Sequence, residues 1–283
     1  MTNPITRHPS ILAGAIQTVE ELAPGRVKFV IGTGYTSAST IGRKPATLAE
    51  IRSCIATVKD LLAGKSIDWA GTPGRLAYAS GRSIPVLMAA SGPKAIEVAG
   101  EIADGVLLLV GFNRGIVETA LTLLERGARR GGRRLEDLEI IWAVRTATAP
   151  SLEEARRMAR PTAVHWGILR WGGHWVEPAG IRVPKLEIPD AVYKVYPDLS
   201  HAHDWEAAIA ATSFVPDEVV AQLCDALGLI GTVEYCAERI AGMTALGVRN
   251  LYLMPLQTFV GPEQEVRAFR DVIFPRLHAA GLR

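Results

Sequence analysis

The apolar positions of this chain switch between a helical and a strand period almost throughout. Ser10 to Leu22 carries Ile11, Leu12, Ala15, Ile16, Val19 and Leu22 at helical spacing, and Gly25 stops the run. Arg26 to Gly32 reads as a strand. Thr47 to Leu62 is the next helix, opened by a Thr47–Glu50 capping box and stopped at Gly64. Ile84 to Ala90 is a short apolar strand, and Pro93 to Ile102 a helix whose proline sits in the tolerated first turn. Val106 to Val110 is a continuous apolar strand, as expected when both faces are buried. Ile116 to Arg130 reads as helix and Leu138 to Ala147 as strand, and Ser151 with Glu154 opens another helix through a capping box. After an interruption come Thr232 to Leu246 as helix, Asn250 to Met254 as strand and Pro262 to Ala279 as a closing helix.

The interruption, residues 165 to 215, holds most of the tryptophans and several Pro and Gly residues. It reads as a partly helical insertion or lid. Trp166, Trp171, Trp175, Tyr193 and Tyr196 could line an apolar pocket there, or pack the insertion onto the rest. Strands alternating with helices imply parallel pairing with right-handed crossovers. An open doubly wound sheet and a closed barrel both satisfy that pattern.

Composition narrows the picture modestly. The chain has 283 residues, 48% hydrophobic and 21% charged, with a net charge of +2. One α/β domain reaches this length, so we expect a single domain over residues 1–283. The five arginines between Arg126 and Arg134 fall at a helix C-terminus and complement its dipole, so no nucleic-acid partner is expected. Cys54, Cys224 and Cys236 form no CxxC pair, which fits a reducing cytoplasm; Cys54 and Cys236 fall in helical patterns as packing residues. No apolar run approaches the roughly twenty residues that span a bilayer, and Met1 to Pro9 lacks a signal peptide's apolar core.

Candidate chemistry sits in the loops after strands, where parallel barrels place their active sites. Gly32-Thr33-Gly34-Tyr35-Thr36 offers close backbone approach and hydroxyls, or is simply a tight turn. Ala89-Ala90-Ser91-Gly92-Pro93-Lys94 runs from a strand into a helix N-terminus; it is either an ordinary helix start or a phosphate site. Val110-Gly111-Phe112-Asn113 lies past the next strand, and Pro255-Leu256-Gln257-Thr258 past the last. His8, His165, His174, His201 and His203 are candidate acid–base groups, in no HxxxH or HExxH metal motif. His201-Ala202-His203-Asp204 reads as a polar loop rather than a metal site, and Asp104 as a turn residue, so no metal is expected.

Several segments in order resemble the luciferase-like monooxygenase superfamily, with the F420-dependent methylenetetrahydromethanopterin reductases as its nearest branch. They are Thr2 to Pro9 with Ala13 to Leu22, Ile31 to Gly34, Gly42 to Ala46 with the helix that follows, Ile84 to Lys94 with Ala99 to Val106, and Ile230 to Thr232 through Pro255. The resemblance implies a TIM-type (β/α)8 barrel with FMN or the deazaflavin F420 at the strand C-terminal ends. It places Ala90, Ser91, Gly92, Pro93, Lys94 and Gly111 near the cofactor phosphate, and Thr6, Gly32, Thr33 and Gly34 nearer the ring. Family sites often carry an acidic residue where this chain has Tyr35. A barrel spends about 30 residues per βα unit. The first recognised element is the end of a third strand, so the resemblance implies a barrel lacking its first two units.

Hydride transfer between F420 and a small organic substrate is the leading functional expectation. An FMN-dependent monooxygenase fed by a flavin reductase is the alternative, and a truncated, non-catalytic binding or assembly subunit the third reading. We expect a homodimer, no membrane partner, and His8 as the candidate catalytic group.

Overall fold

The computed structural model describes residues 1–170, 173–257 and 259–282. In chain order the elements are α1 (Pro9–Leu22), β1 (Phe29–Ile31), α2 (Tyr35–Ser39), α3 (Leu48–Leu62), β2 (Ile67–Trp69), β3 (Thr72–Gly74), β4 (Val86–Ala90), α4 (Pro93–Ile102), β5 (Gly105–Leu108), α5 (Arg114–Arg130) and β6 (Glu139–Thr148). Then follow α6 (Leu152–Val164), a π-helical turn (His165–Arg170), α7 (Gly173–Val176), α8 (Asp190–Tyr193), α9 (Trp205–Ala211), α10 (Asp217–Leu227) and β7 (Gly228–Gly231). The chain ends with α11 (Val233–Thr244), β8 (Asn250–Pro255), α12 (Glu263–Ala268), a second π turn (Phe269–Ile273) and α13 (Phe274–Ala279). The result is an α/β fold on a mostly parallel sheet, divided into two compact units.

The first unit comprises Met1–Leu109 and Leu121–Ile141. Its strands are parallel and in register: Thr2 bridges to Ile31, Ile31 pairs with Met88, and Met88 with Val106. Ile31, Met88 and Val106 are fully buried, which is why these strands read as unbroken apolar runs rather than alternating ones. α4 and the second half of α5 meet through glycines. A Cβ at Gly127 would lie 1.9 Å from the Glu97 carbonyl oxygen, and one at Gly100 2.4 Å from that of Leu124. Both halves of the Thr47 capping box form. The antiparallel β2–β3 hairpin was not legible in the sequence. Its two-residue turn has positive φ at Ala70 (52°) and Gly71 (90°), a conformation an Ala-Gly pair does not advertise.

The five arginines are spent within this unit. Arg126 and Arg130 reach Glu97 at 2.9 and 2.8 Å, Arg129 reaches Glu125, Arg133 donates to the Gly100 and Ala103 carbonyls, and Arg134 pairs with Asp137. Asp104 accepts from the Val86 N–H at 2.8 Å and pairs with Lys59, the turn-fixing role expected of it.

The second unit comprises Val110–Ala120 and Trp142–Arg283. β6 pairs in parallel with β7, from Arg145 opposite Gly228 to Thr148 opposite Gly231, and β8 also pairs with β6. A Cβ at Gly228 would lie 2.0 Å from the Arg145 carbonyl oxygen, so this register requires glycine. α10 and β7 fall where the sequence pattern offered no element, because β7 has only Leu229 and Ile230 between its two glycines. α6 contains Pro161 and passes into the π turn, where Gly167 lets α10 approach: a Cβ there would lie 2.4 Å from Leu223. At Ser151 the hydroxyl accepts from the Glu154 N–H at 3.1 Å, one half of the expected capping box. The insertion is partly helical as expected, through the π turn and α7 to α9. No helix among the described residues is long and apolar enough to cross a membrane.

Candidate active site

Parallel register in the first unit carries the chain ends of its strands to one edge of the sheet. Thr2 is level with Ile31 and Met88, so the turns that follow, from Asn3, Gly32 and Ala90, leave the sheet on the same edge. Thr6, Gly32–Gly34 and Ala90–Lys94 therefore sit on successive turns of one edge.

Asn3 organises the first two of these turns. It is 3% exposed, and its Oδ1 accepts from the N–H groups of Ile5 and Thr6 at 2.9 Å while its Nδ2 donates to Ser37 Oγ at 2.9 Å. Gly34 is left-handed at φ 74°, and a Cβ there would lie 2.4 Å from Asn3 Cγ. The Thr6 hydroxyl is buried without a hydrogen-bond partner among the described residues. Sequence reasoning took Asn3 only as part of a family-like run. The available signal was an Asn ahead of a proline, where its side chain closes a turn onto the backbone two residues on.

The third turn ends in the N-terminus of α4. Gly92 is the N-cap and supplies no side-chain acceptor, and Pro93 has no N–H to offer. The N–H groups of Lys94 and Ala95 thus open the helix without a side-chain cap, at the positive end of its dipole. Nothing lies within 4 Å of a Cβ built on Gly92, so the space over this turn is open. Lys94 is exposed and enters no ion pair among the described residues. Backbone donors, an open cradle and a free ammonium group together fit a phosphate. Ser91 is exposed, and Ala90 is buried with its carbonyl accepting from the Leu109 N–H at 2.9 Å.

Other candidates have different placements. His8 caps α1, accepting from the Ser10 N–H, and its ring lies 4.7 Å from that of Trp69. Gly111 belongs to the second unit; it is buried at φ 127°, and the next residue, Phe112, donates its N–H to the Ala226 carbonyl at 2.7 Å. Tyr35 begins α2 and is 52% exposed. In the last loop Leu256 is buried, and Thr258 lies outside the described residues. Burial pushes the thiols of Cys54, Cys224 and Cys236 up to about 11, 12 and 12, so all three are packing groups.

The second unit holds a polar cluster that the sequence reading did not assemble. Arg145 comes from β6, His165 and Trp166 from the π turn, and Asp198, Ser200 and His201 from the loop before α9. Asp198 Oδ1 accepts from His201 Nδ1 at 2.9 Å, from the Ser200 N–H at 2.8 Å and from the His201 N–H at 3.0 Å. Burial works against its charge, but His201 and these donors win and hold the carboxyl down to about 2. Burial lowers His165 to about 4, against the weaker pull of Asp198. His203 instead meets Tyr196 and Phe259 edge-on, and Asp204 caps α9 through the Ala207 N–H. Among the described residues no group of three His, Cys, Asp or Glu side chains is placed to hold a metal ion. Of the aromatic set, Trp175 is buried and Trp166 half-buried, Tyr193 and Tyr196 are over 70% exposed at 71% and 72%, and Trp171 lies outside the described residues.

Comparison with known proteins gives this arrangement its family. The 5,10-methylenetetrahydromethanopterin reductase of Methanolobus tindarius is 25% identical over 278 residues, covering 94% of this chain and 78% of the relative. An F420-dependent glucose-6-phosphate dehydrogenase of Beutenbergia cavernae is 30% identical over 189 residues, 60% of this chain and 52% of that protein. Among solved structures, the coenzyme F420 dependent tetrahydromethanopterin reductase from Methanopyrus kandleri superposes with a TM-score of 0.69 at 21% identity, over 98% of this chain and 81% of that one. That likeness carries the fold, which the strand pairings within the two units do not by themselves close into a barrel. The model of the luciferase-like monooxygenase family matches residues 1–250. Over most of its length, then, this chain belongs to the luciferase-like monooxygenase family, and it is an oxidoreductase of that family.

Proposed function

We propose that the protein is an F420-dependent oxidoreductase that moves a hydride between the deazaflavin and a small organic substrate. The observation that carries this reading is the uncapped N-terminus of α4 with open space over Gly92, on the same sheet edge as the Gly32–Gly34 turn and Thr6. Relatives named for F420 chemistry support the choice of cofactor. A bound deazaflavin supplies two-electron hydride chemistry of its own. The chain's part is placement. The N–H groups of Lys94 and Ala95 and the Lys94 ammonium hold a phosphate. Ala90, Ser91 and Pro93 shape the turn that presents them, and Gly111 is assigned to the phosphate by family resemblance alone. Thr6, Gly32, Thr33 and Gly34 border the ring, and the unpartnered Thr6 hydroxyl is a donor ready for a ring acceptor.

Fluorescence titration of the purified protein with F420 and, separately, with FMN tests the reading. Saturable quenching of F420 and none of FMN is expected. Tight FMN uptake without F420 binding would replace it with the FMN-dependent monooxygenase reading. Binding of neither cofactor would favour a non-catalytic subunit.

A further inference from the structure

Arg145 stands out in the second unit as a cation without a counter-charge. Its guanidinium lies 5.7 Å from the centre of the Trp166 ring, and it has neither a hydrogen-bond acceptor nor an ion-pair partner among the described residues. The nearby carboxylate is already committed. Asp198 spends its oxygens on His201 Nδ1, at 2.9 and 3.0 Å, and on two backbone N–H groups. Burial draws Arg145 down from 12.5 to about 10, and the field of Asp198 only partly offsets it. Arg145 is half-buried, so its charge is only partly hydrated, and leaving it there unpaired is unfavourable. A fold that tolerates this, with Asp198 close by yet turned to other donors, is keeping the guanidinium for a ligand.

The surroundings define that ligand. Trp166 Nε1, in the indole against Arg145, and Ser200 Oγ, next to Asp198, are buried and without partners among the described residues, so the cluster holds unsatisfied donors. His201, with Nδ1 fixed on Asp198, keeps its Nε2 edge without a partner among the described residues, and its side chain is 33% exposed. The His165 ring stands edge-on to Trp166 at 5.6 Å and walls the cluster. His165 and Trp166 sit on a π turn, a geometry that recurs at functional sites. Arg145 is a cation of this cluster with no ion pair among the described residues, and Asp198 adds a negative charge nearby, so a monoanion fits better than a dianion. A planar guanidinium fork matches a planar carboxylate in bidentate fashion. The stacked indole offers a flat apolar wall for the group attached to it.

We propose that Arg145, Trp166 and His201 form a binding site for the carboxylate of a small organic acid. The site is independent of which cofactor the protein uses. That its occupant is the substrate rests on the oxidoreductase reading above.

The test uses the protein without cofactor and benzoate as the probe, with inorganic phosphate as the competing anion, followed by tryptophan fluorescence and by the shift in Tm. Saturable benzoate binding is expected, with weaker or no response to phosphate. Arg145→Met should weaken benzoate at least tenfold, Arg145→Lys should restore part of it, and Trp166→Phe, which keeps a ring but removes the N–H, should weaken it a few-fold. Arg145→Met should also leave the Tm of the ligand-free protein unchanged or raised, because it removes a half-buried charge with no ion-pair partner among the described residues. A purely structural arginine predicts a lower Tm instead. The proposal is overturned if no benzoate response is seen in the wild type, if Arg145→Met binds benzoate as the wild type does, or if phosphate binds more tightly. F420 quenching scored separately on the wild type keeps this outcome distinct from the fate of the cofactor reading.

Discussion

The two polar regions of this protein are built by opposite means. In the first unit the site edge is made of backbone: turns at successive strand ends, an uncapped helix start, and a single buried side chain, Asn3, that ties two turns together. In the second unit the polar cluster is made of side chains from three separate stretches, around Arg145, His165 and Asp198. Backbone sites need small residues at fixed positions and tolerate change elsewhere. Side-chain sites trap charge away from water and pay in pH sensitivity. The two regions should therefore fail in different ways when perturbed.

The largest effect we expect strikes the backbone-built edge. Gly34 combines φ 74° with a Cβ position 2.4 Å from Asn3 Cγ. Valine there adds left-handed strain for a β-branched residue to a clash with a buried amide held by three hydrogen bonds. Gly34→Val should cost on the order of 4 kcal/mol of stability, read as a fall in the urea midpoint. An unchanged midpoint would mean that the Asn3 tie is not what shapes these turns.

The next effect, somewhat smaller, belongs to the side-chain-built cluster. His165 is held at about 4, against an ordinary 6.5. Between those values the unfolded chain binds more protons than the folded one, so stability falls as pH drops from 6.5 to 4 and the loss is complete below the folded value. At about 1.4 kcal/mol per pH unit the loss approaches 3 kcal/mol. The charged and titratable groups acting on the ring are Asp198, Arg170, His201 and Arg145. Asp198, held down to about 2, acts in the same direction but only in a lower window, as pH falls below its ordinary 3.8. His165→Gln should flatten the difference in urea midpoint between pH 6.5 and pH 4 relative to the wild type. Parallel pH curves for the two proteins would contradict the placement of this ring in the cluster.

The same contrast explains what could be read from the sequence. α4 was legible to the residue, Pro93 to Ile102, because a first-turn proline and an apolar period mark it locally. The turns on the site edge were legible for the same reason: glycine and small residues after an apolar strand are local signals. β7 was not, since four residues bounded by glycines carry no period of their own, and its register depends on Gly228 passing close to Arg145. The cluster was invisible because Arg145 and Asp198 are more than fifty positions apart in sequence. Reading His201-Ala202-His203-Asp204 as one polar loop also missed that the pair that forms is His201 with Asp198, one turn earlier, while His203 and Asp204 do other work. Asn3 was the nearest miss, since its role is local but runs through its side chain.

The smallest effect on stability sharpens the comparison most, because it separates a phosphate cradle from an ordinary helix start. Gly92 has unremarkable dihedrals, φ −92° and ψ 151°, and a Cβ there would meet nothing within 4 Å. Gly92→Ala should thus leave the urea midpoint within about 0.5 kcal/mol of the wild type, the range usual for surface changes. If the open space is where a cofactor phosphate sits, the added methyl intrudes on it and turns the first-turn donors away from their acceptor. F420 affinity should then fall roughly tenfold, equivalent to about 1.4 kcal/mol, in a protein of unchanged stability. Lys94→Gln should add a smaller loss by removing only the charge. A Gly92→Ala protein that quenches F420 as the wild type does would leave the α4 start as a helix N-terminus and nothing more.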